Sequence, residues 1–235
     1  MKKTFRYLLK GILAFVAFLL VTFIVLKLVY NDDIPKGIPG TPADEMAFKL
    51  LDAIHHKEFT EAKEIHWTFR GDHRYEWKLQ QNMVAVYWED YRVLYQTQYP
   101  EISFAFKNGK RLEGEEQQAA IDDAAFHFNN DSFWVVAPHK IFDIGTTREL
   151  VEENGKQKLL VTYHSGGTTP GDSYLWEVDE NYQPIAFKMW VRIIPLDGIE
   201  VTWSNWEMTA GGFPLSRKRS LFGIEVPVTD LKVIP

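Results

Sequence analysis

The sequence predicts an α+β fold, an antiparallel meander covered by helices and preceded by one membrane-spanning helix. Three observations carry this. A nearly unbroken apolar run opens the chain, helical periodicity appears in only two later stretches, and tight-turn signals separate short aromatic and β-branched segments almost everywhere else. Successive hairpins imply antiparallel pairing, because parallel strands need long crossovers.

The first thirty residues, MKKTFRYLLKGILAFVAFLLVTFIVLKLVY, hold no charge from Gly11 to Leu26. Residues 11–30 match the ~20 needed to cross a hydrocarbon core. Lys27 stands near the outer end, where its stem reaches the headgroups. A cleaved signal peptide has a shorter apolar region and a small-residue cleavage site, and here the run ends in KLVYNDD. The reading is an uncleaved signal anchor. Lys2, Lys3, Arg6 and Lys10 precede it while Asp32 and Asp33 follow, so the basic end is expected in the cytoplasm. The expected division is residues 1–30 as cytoplasmic tip and anchor, 31–42 as linker, and 43–235 as one extracytoplasmic domain.

The charge balance narrows the partners. The chain has 26 Lys and Arg against 32 Asp and Glu, and five of the bases lie in the anchor, which leaves −11 on the remainder. Such a domain is a poor electrostatic match for nucleic acid. With no cysteine it has no disulfide, thiol nucleophile or cysteine metal site.

Elements follow in order. NDDIPKGIPGTP is rich in proline and glycine, as a linker is. Thr41 is placed as a helix cap with Pro42 at the first helical position. Ala43, Met46, Ala47, Leu50, Leu51 and Ile54 then share one face, and the helix is expected to end near His56, with FTEAKE adding a short turn. IHWTF, RYEWKL, MVAVYW and YRVLYQT read as strands, and Asn108-Gly109 marks a hairpin. A second helix is predicted over residues 115–129, with Ile121, Ala124, Ala125 and Phe128 inward; FWVVAP leads back toward the core. Hairpins turning at Asn154-Gly155, near Asp179–Tyr182 and at Asp197-Gly198 complete the chain. Phe187, Met189, Val191 and Ile193 fall on one strand face, Lys188 and Arg192 on the other.

The segment SYLWEVDENYQPIAFKMW followed by IEVTWSNWEM resembles the lipoprotein-carrier superfamily, the LolA/LolB-like half-barrels, in its strand, Asp, turn, Pro, strand cadence. NDSFWVVAPHKIFDIGTTREL and VTYHSGGTTPGDSYLW are more similar to a group of uncharacterised bacterial envelope proteins. The carrier resemblance implies a curved sheet, a half-barrel meander, wrapped around about two helices with acyl chains held in the hollow. The chain departs from those carriers in having a transmembrane anchor and no lipobox cysteine, so it is not expected to shuttle between membranes.

Candidate chemistry is sparse. His164–Ser173 contains nucleophile, base and carboxylate types, but no G-x-S-x-G elbow, and neighbouring His and Ser on a strand point apart. His164, Ser165, Asp172 and Ser173 are read instead as a polar rim. No histidine pair has H-E-x-x-H spacing, so neither metal nor cofactor is expected. Aromatics most often simply fill a β core; Trp176, Phe187 and Trp203, with the adaptable Met189, are the candidates for lining an apolar cavity. The SRKRS stretch at Ser216–Ser220 is read as edge protection rather than a headgroup site. The expected role is non-enzymatic binding of a lipid or acylated ligand, on the bacterial inner membrane with the domain facing the periplasm. A protein-interaction domain without a cavity, serving an envelope partner, is the alternative.

Overall fold

A computed structural model describes residues 2–235; Met1 and the side chains of Lys2 and Lys3, part of the expected basic head, lie outside the described residues. The chain is α+β with two antiparallel sheets and a long apolar helix at its start. That helix, α1 (Lys2–Tyr30), contains the stretch Phe5–Val25, which at 1.5 Å per residue is about 30 Å long. It is long and apolar enough to cross a membrane, and none of the described side chains of that stretch is buried against the rest of the protein.

After β1 (Ile38–Pro39) come α2 (Thr41–Ala53) and α3 (His56–Glu61). The cap of α2 is Gly40 rather than Thr41, at φ 102°, a backbone angle that favours glycine. Pro42 stands in the first turn as expected. His55 at φ 53° breaks the chain between α2 and α3.

Four hairpin-linked strands follow, β2 (Glu64–Phe69), β3 (His73–Lys78), β4 (Met83–Trp88) and β5 (Tyr91–Gln96), then the short β6 (Phe104–Lys107) and β7 (Lys110–Arg111). Helix α4 runs Gly114–Val136, a full two turns beyond the predicted end, so FWVV, which leads back toward the core, does so as helix. Its apolar run continues because Phe133, Trp134, Val135 and Val136 each find a sheet to cover.

The second half holds β8 (Thr146–Glu153), β9 (Lys156–Tyr163), β10 (Ser173–Val178), β11 (Pro184–Trp190), β12 (Ile199–Met208), β13 (Pro214–Leu221), β14 (Ile224–Glu225) and β15 (Val228–Ile234). Asn108-Gly109 and Asn154-Gly155 both take positive φ at the two turn positions, 50° and 74° in the first, 55° and 74° in the second. This is the I′ geometry whose twist suits a two-residue hairpin.

Where a single curved sheet was expected, the strands sort into two. One has the order β1-β8-β9-β10-β11-β12-β13-β14, the other β15-β2-β3-β4-β5-β6-β7. The last strand, β15, crosses back to pair with β2, Val233 opposite Ile65. Neither sheet closes into a barrel. Each has its own core. Trp67, Tyr75, Val84, Val86 and Val93 pack with Ala120, Ile121, Ala124 and Phe128 of α4. Leu159, Trp176, Phe187, Val201 and Trp203 pack with Ala43, Ala47, Leu50 and Ile54 of α2. Trp134 and Leu221 touch both cores.

The proline-rich stretch before α2 is not a free spacer. Ile38 and Pro39 pair with Leu150 and Glu149 of β8, and the Gly37 amide donates to Glu149 Oε2 at 2.9 Å. A Cβ on Gly37 would lie 2.6 Å from that of Glu149. The strap has a reason to lie there: the outer sheet face carries Val151, Leu160, Leu175 and Trp190, a buried apolar cluster separate from the two cores.

Candidate functional site

The inward positions of β10 and β11 alternate with outward ones, so Tyr174, Trp176, Phe187 and Met189 face the helices while Lys188 and Trp190 face the strap. Along this inner face the packing is uneven. At the Trp176 end, α2 closes over the sheet, and Trp176 and Trp203, both essentially inaccessible, meet edge to face at 5.7 Å. At the Met189 end a cavity of about 180 Å³ is left between the C-terminal half of α4 and the sheet. Phe133, Trp134, Tyr163, Tyr174, Phe187 and Met189 form its apolar wall. Phe133 fixes that wall, with its ring 4.3 Å from Tyr174 and 5.8 Å from Tyr163.

The mouth is made by loops. Lys140 and Asp143, paired at 3.2 Å, lie on one side, and Ser165, Thr168, Thr169 and Asp172 on another. Ile144, Ile193 and Phe126 stand around it with 95%, 54% and 44% of their surface exposed. Asp172 is buried, and burial pushes its carboxyl up, against the hydrogen bonds from Thr169 Oγ1 and the Arg192 amide that favour the ionised form. Burial likewise raises the Tyr163 and Tyr174 phenols, with the Asp143 and Asp172 carboxylates adding to it, so both stay neutral at ordinary pH. The site therefore offers an apolar wall, neutral phenols and a polar rim holding one ion pair. Among the described residues no group of three or more His, Asp or Glu side chains is arranged to hold a metal ion.

The structure brings together half of the residues singled out from sequence. Phe187 and Met189 line the cavity, as do Ser165 and Asp172. Trp176 and Trp203 lie instead in the solid part of the core. His164 turns away and bonds Thr147 Oγ1 through Nε2 at 2.8 Å, and Ser173 is buried against Thr162 at 2.8 Å. The alternation is the cause: on a strand or its extension, neighbours leave on opposite sides. Sequence reasoning missed the α4 contribution: Asn130, Phe133 and Trp134 lie beyond residue 129, where it ended the helix, and Phe126 and Asn129 lie within that helix but off the face it read as inward. The signal was present in FHFNNDSF, where Phe126, Asn129, Asn130 and Phe133 fall at helical intervals.

A second polar cluster, also missed, lies in the other half. The buried Asp131 accepts from the Tyr75 hydroxyl at 2.5 Å and from Asn130 Nδ2 at 2.8 Å, and pairs with His73 Nδ1 at 2.7 Å. His127 lies against His73, ring centres 4.1 Å apart. Among the described residues no hydroxyl or thiol bonds the His73 ring, and none of Asp131, His73 and Tyr75 lines the cavity. The cluster ties α4 to β3. Nucleophilic catalysis needs a nucleophile within hydrogen-bond reach of the base, which is not found here.

No protein-family model matches this chain, and no curated protein matches it.

Proposed function

We propose that the protein is a membrane-anchored, non-enzymatic binder of a lipid or other acylated ligand, held in the bacterial cell envelope with its domain on the outer side of the inner membrane. The observation that carries this reading is the aromatic cavity between α4 and the eight-stranded sheet, in a chain whose first helix can span a bilayer. A sheet-over-helix hollow is what the resemblance to the LolA/LolB-like half-barrels, carried by the strand and turn cadence of the sequence, implies, and that resemblance supports the same ligand class.

The size of the hollow limits what enters it. About 180 Å³ is close to the ~150 Å³ of a dry cavity known to take up benzene, so a segment of about six carbons fits rather than a whole lipid tail. At about 0.8 kcal/mol per CH₂, such a segment contributes roughly 5 kcal/mol before association costs. That corresponds to weak, reversible capture, about 0.2 mM at best from this burial alone and weaker once association costs are counted. Weak capture suffices for a tethered protein, because tethering keeps the local ligand concentration high.

The test uses the full chain in phosphatidylcholine nanodiscs containing a phospholipid with a photoactivatable diazirine near its acyl terminus. Illumination is expected to mark peptides carrying Phe133, Phe187 and Met189 besides α1. Labelling confined to α1 would remove the ligand-binding reading.

A further inference from the structure

The first residues after α1 do not wander. Asn31 and Asp32 clamp at once on the loop between β11 and β12. The Asp32 amide donates to Asp197 O at 3.1 Å, Asn31 Nδ2 donates to Asp197 Oδ2 at 3.1 Å, and the Asp197 amide returns a bond to Asn31 Oδ1 at 2.9 Å. Lys188 Nζ and Trp190 Nε1 reach the carboxylate and carbonyl of Asp32, each at 2.7 Å. Gly198 lets them approach, since a Cβ there would lie 2.5 Å from that of Asp32. Only one peptide link joins Tyr30 to Asn31, so the domain is tied to α1 with no slack.

Strand register fixes which end is tied. Met189 pairs with Ile199, Ser173 with Trp190, Ser173 with Thr162 and Thr146 with Tyr163. The starts of β8, β10 and β12 and the ends of β9 and β11 therefore share one end of the sheet. The loops there are Asp143–Gly145, His164–Asp172 and Val191–Gly198, which form the cavity mouth. The clamp and the mouth lie at the same end. Beyond Val25, α1 continues for five residues, about 8 Å, roughly the depth of the headgroup layer. Asn31 thus emerges at the membrane surface with the mouth beside it.

The exposed apolar side chains agree. Ile144 and Ile193 stand on the mouth, and Phe222 and Ile224 follow the end of β13, which meets β12 near its start, Leu221 opposite Val201. Single exposed apolar residues are ordinary on a protein surface, and others such as Ile38, Ile102 and Met208 lie elsewhere; Ile144, Ile193, Phe222 and Ile224 share the end the clamp holds. Charge does not explain the contact, since Asp143, Asp172 and Asp197 outnumber Arg192 on these loops, and the neighbouring Lys140 is paired with Asp143.

We propose that this end is a bilayer-docking face. The Asn31–Asp32 clamp presses the cavity mouth against the membrane that carries α1, Ile144 and Ile193 seat in the interfacial layer, and the acyl segment enters from the bilayer without crossing water. The route of entry rests on the lipid-binding reading above; the docking does not.

The chain has no cysteine, so single labels can be placed on an otherwise native protein. Ile144→Cys, Ile193→Cys and Met208→Cys, each carrying an environment-sensitive fluorophore, are compared in full-length protein in nanodiscs of phosphatidylcholine with brominated acyl chains. Met208 lies at the far end of β12, nine residues or about 30 Å from Ile199. Labels at Ile144 and Ile193 are expected to be quenched about threefold more than at Met208, as interfacial seating of 5–10 Å requires. The paired substitution Asn31→Ala, Asp32→Ala is expected to abolish most of that contrast. Equal quenching at all three positions overturns the docking, and contrast that survives loss of the clamp overturns the clamp's role. Diazirine labelling of Met189 without quenching contrast would refute docking and leave the cavity reading standing; contrast without labelling would do the reverse.

Discussion

The two sheets solve the same covering problem with different completeness. Over the seven-stranded sheet, α4 lays small residues, Ala120 and Ala124, beside Ile121 and Phe128, and these fit the flat faces of Trp67 and Tyr75, stacked at 4.6 Å. The helix approaches closely and the layer is filled. Over the eight-stranded sheet, α2 does this only at the Trp176 end. At the Met189 end the cover is the last turns of α4 and irregular loops, whose large rings prop the layers apart. Small residues bring a helix onto a sheet, whereas bulky aromatics at a helix end hold it off and leave room.

This contrast can be tested by substitution. The largest effect is expected where packing is complete: Trp67→Ala should cost about 3–5 kcal/mol in denaturant unfolding, with the midpoint falling and the slope kept. Ala124→Phe, inserted where no space exists, should cost about 1–3 kcal/mol in the same measurement.

The seam between the halves should respond to acid. The buried His139 stacks on Phe59 at 4.0 Å and meets His56 Nδ1 to Nδ1 at 3.2 Å. Burial, with His56 as a second cause, holds its pKa well below the ordinary value of 6.5; burial lowers His56 too, against the pull of Asp143. A depressed histidine is neutral in both states above pH 6.5, where its contribution is whole. Below 6.5 the unfolded chain takes up the proton first, so stability falls toward the folded pKa, by at most about 1.4 kcal/mol per pH unit for each histidine. Unfolding followed from pH 7.5 to 5.5 should show this decline, and His139→Phe should flatten it.

The smallest effect on stability is expected at the cavity. Val191→Trp, whose indole can extend into the open space beside this buried position, should cost less than Ala124→Phe, at the low end of the ~1–3 kcal/mol of small-to-large changes. It should nevertheless remove acyl photolabelling of Met189. A loss of stability as large as that of Ala124→Phe would show that the Met189 end is as tightly packed as the other sheet.

Much of the architecture was legible in sequence because it is local. The Asn-Gly turns, the alternation in IEVTWSNWEM and the apolar face of α2 are written within a few residues of where they act. The division into two sheets was not, since it depends on β15 returning to β2 across more than 150 residues of chain. The cavity was half legible for the same reason. Alternation put Phe187 and Met189 on the correct face together with Trp176 and Trp203 but could not say where along that face a helix would stop covering it. The strap was hidden because proline and glycine favour both a loose linker and an extended chain lying on a sheet. Distant partners decide between them: Trp190 and Lys188, 156 residues or more away, and Glu149 and Leu150 on β8.

The most direct test of a fillable cavity is methyl NMR of the full chain in phosphatidylcholine nanodiscs, with ¹³C at the methionine methyls. The five methionines include Met189 on the cavity wall, Met46 in the packed core of α2 and Met83 on β4. Titration with decanoic acid is predicted to move the Met189 signal saturably while Met46 and Met83 stay in place. A Met189 signal that does not move, or that moves only in step with the other two, would contradict the account.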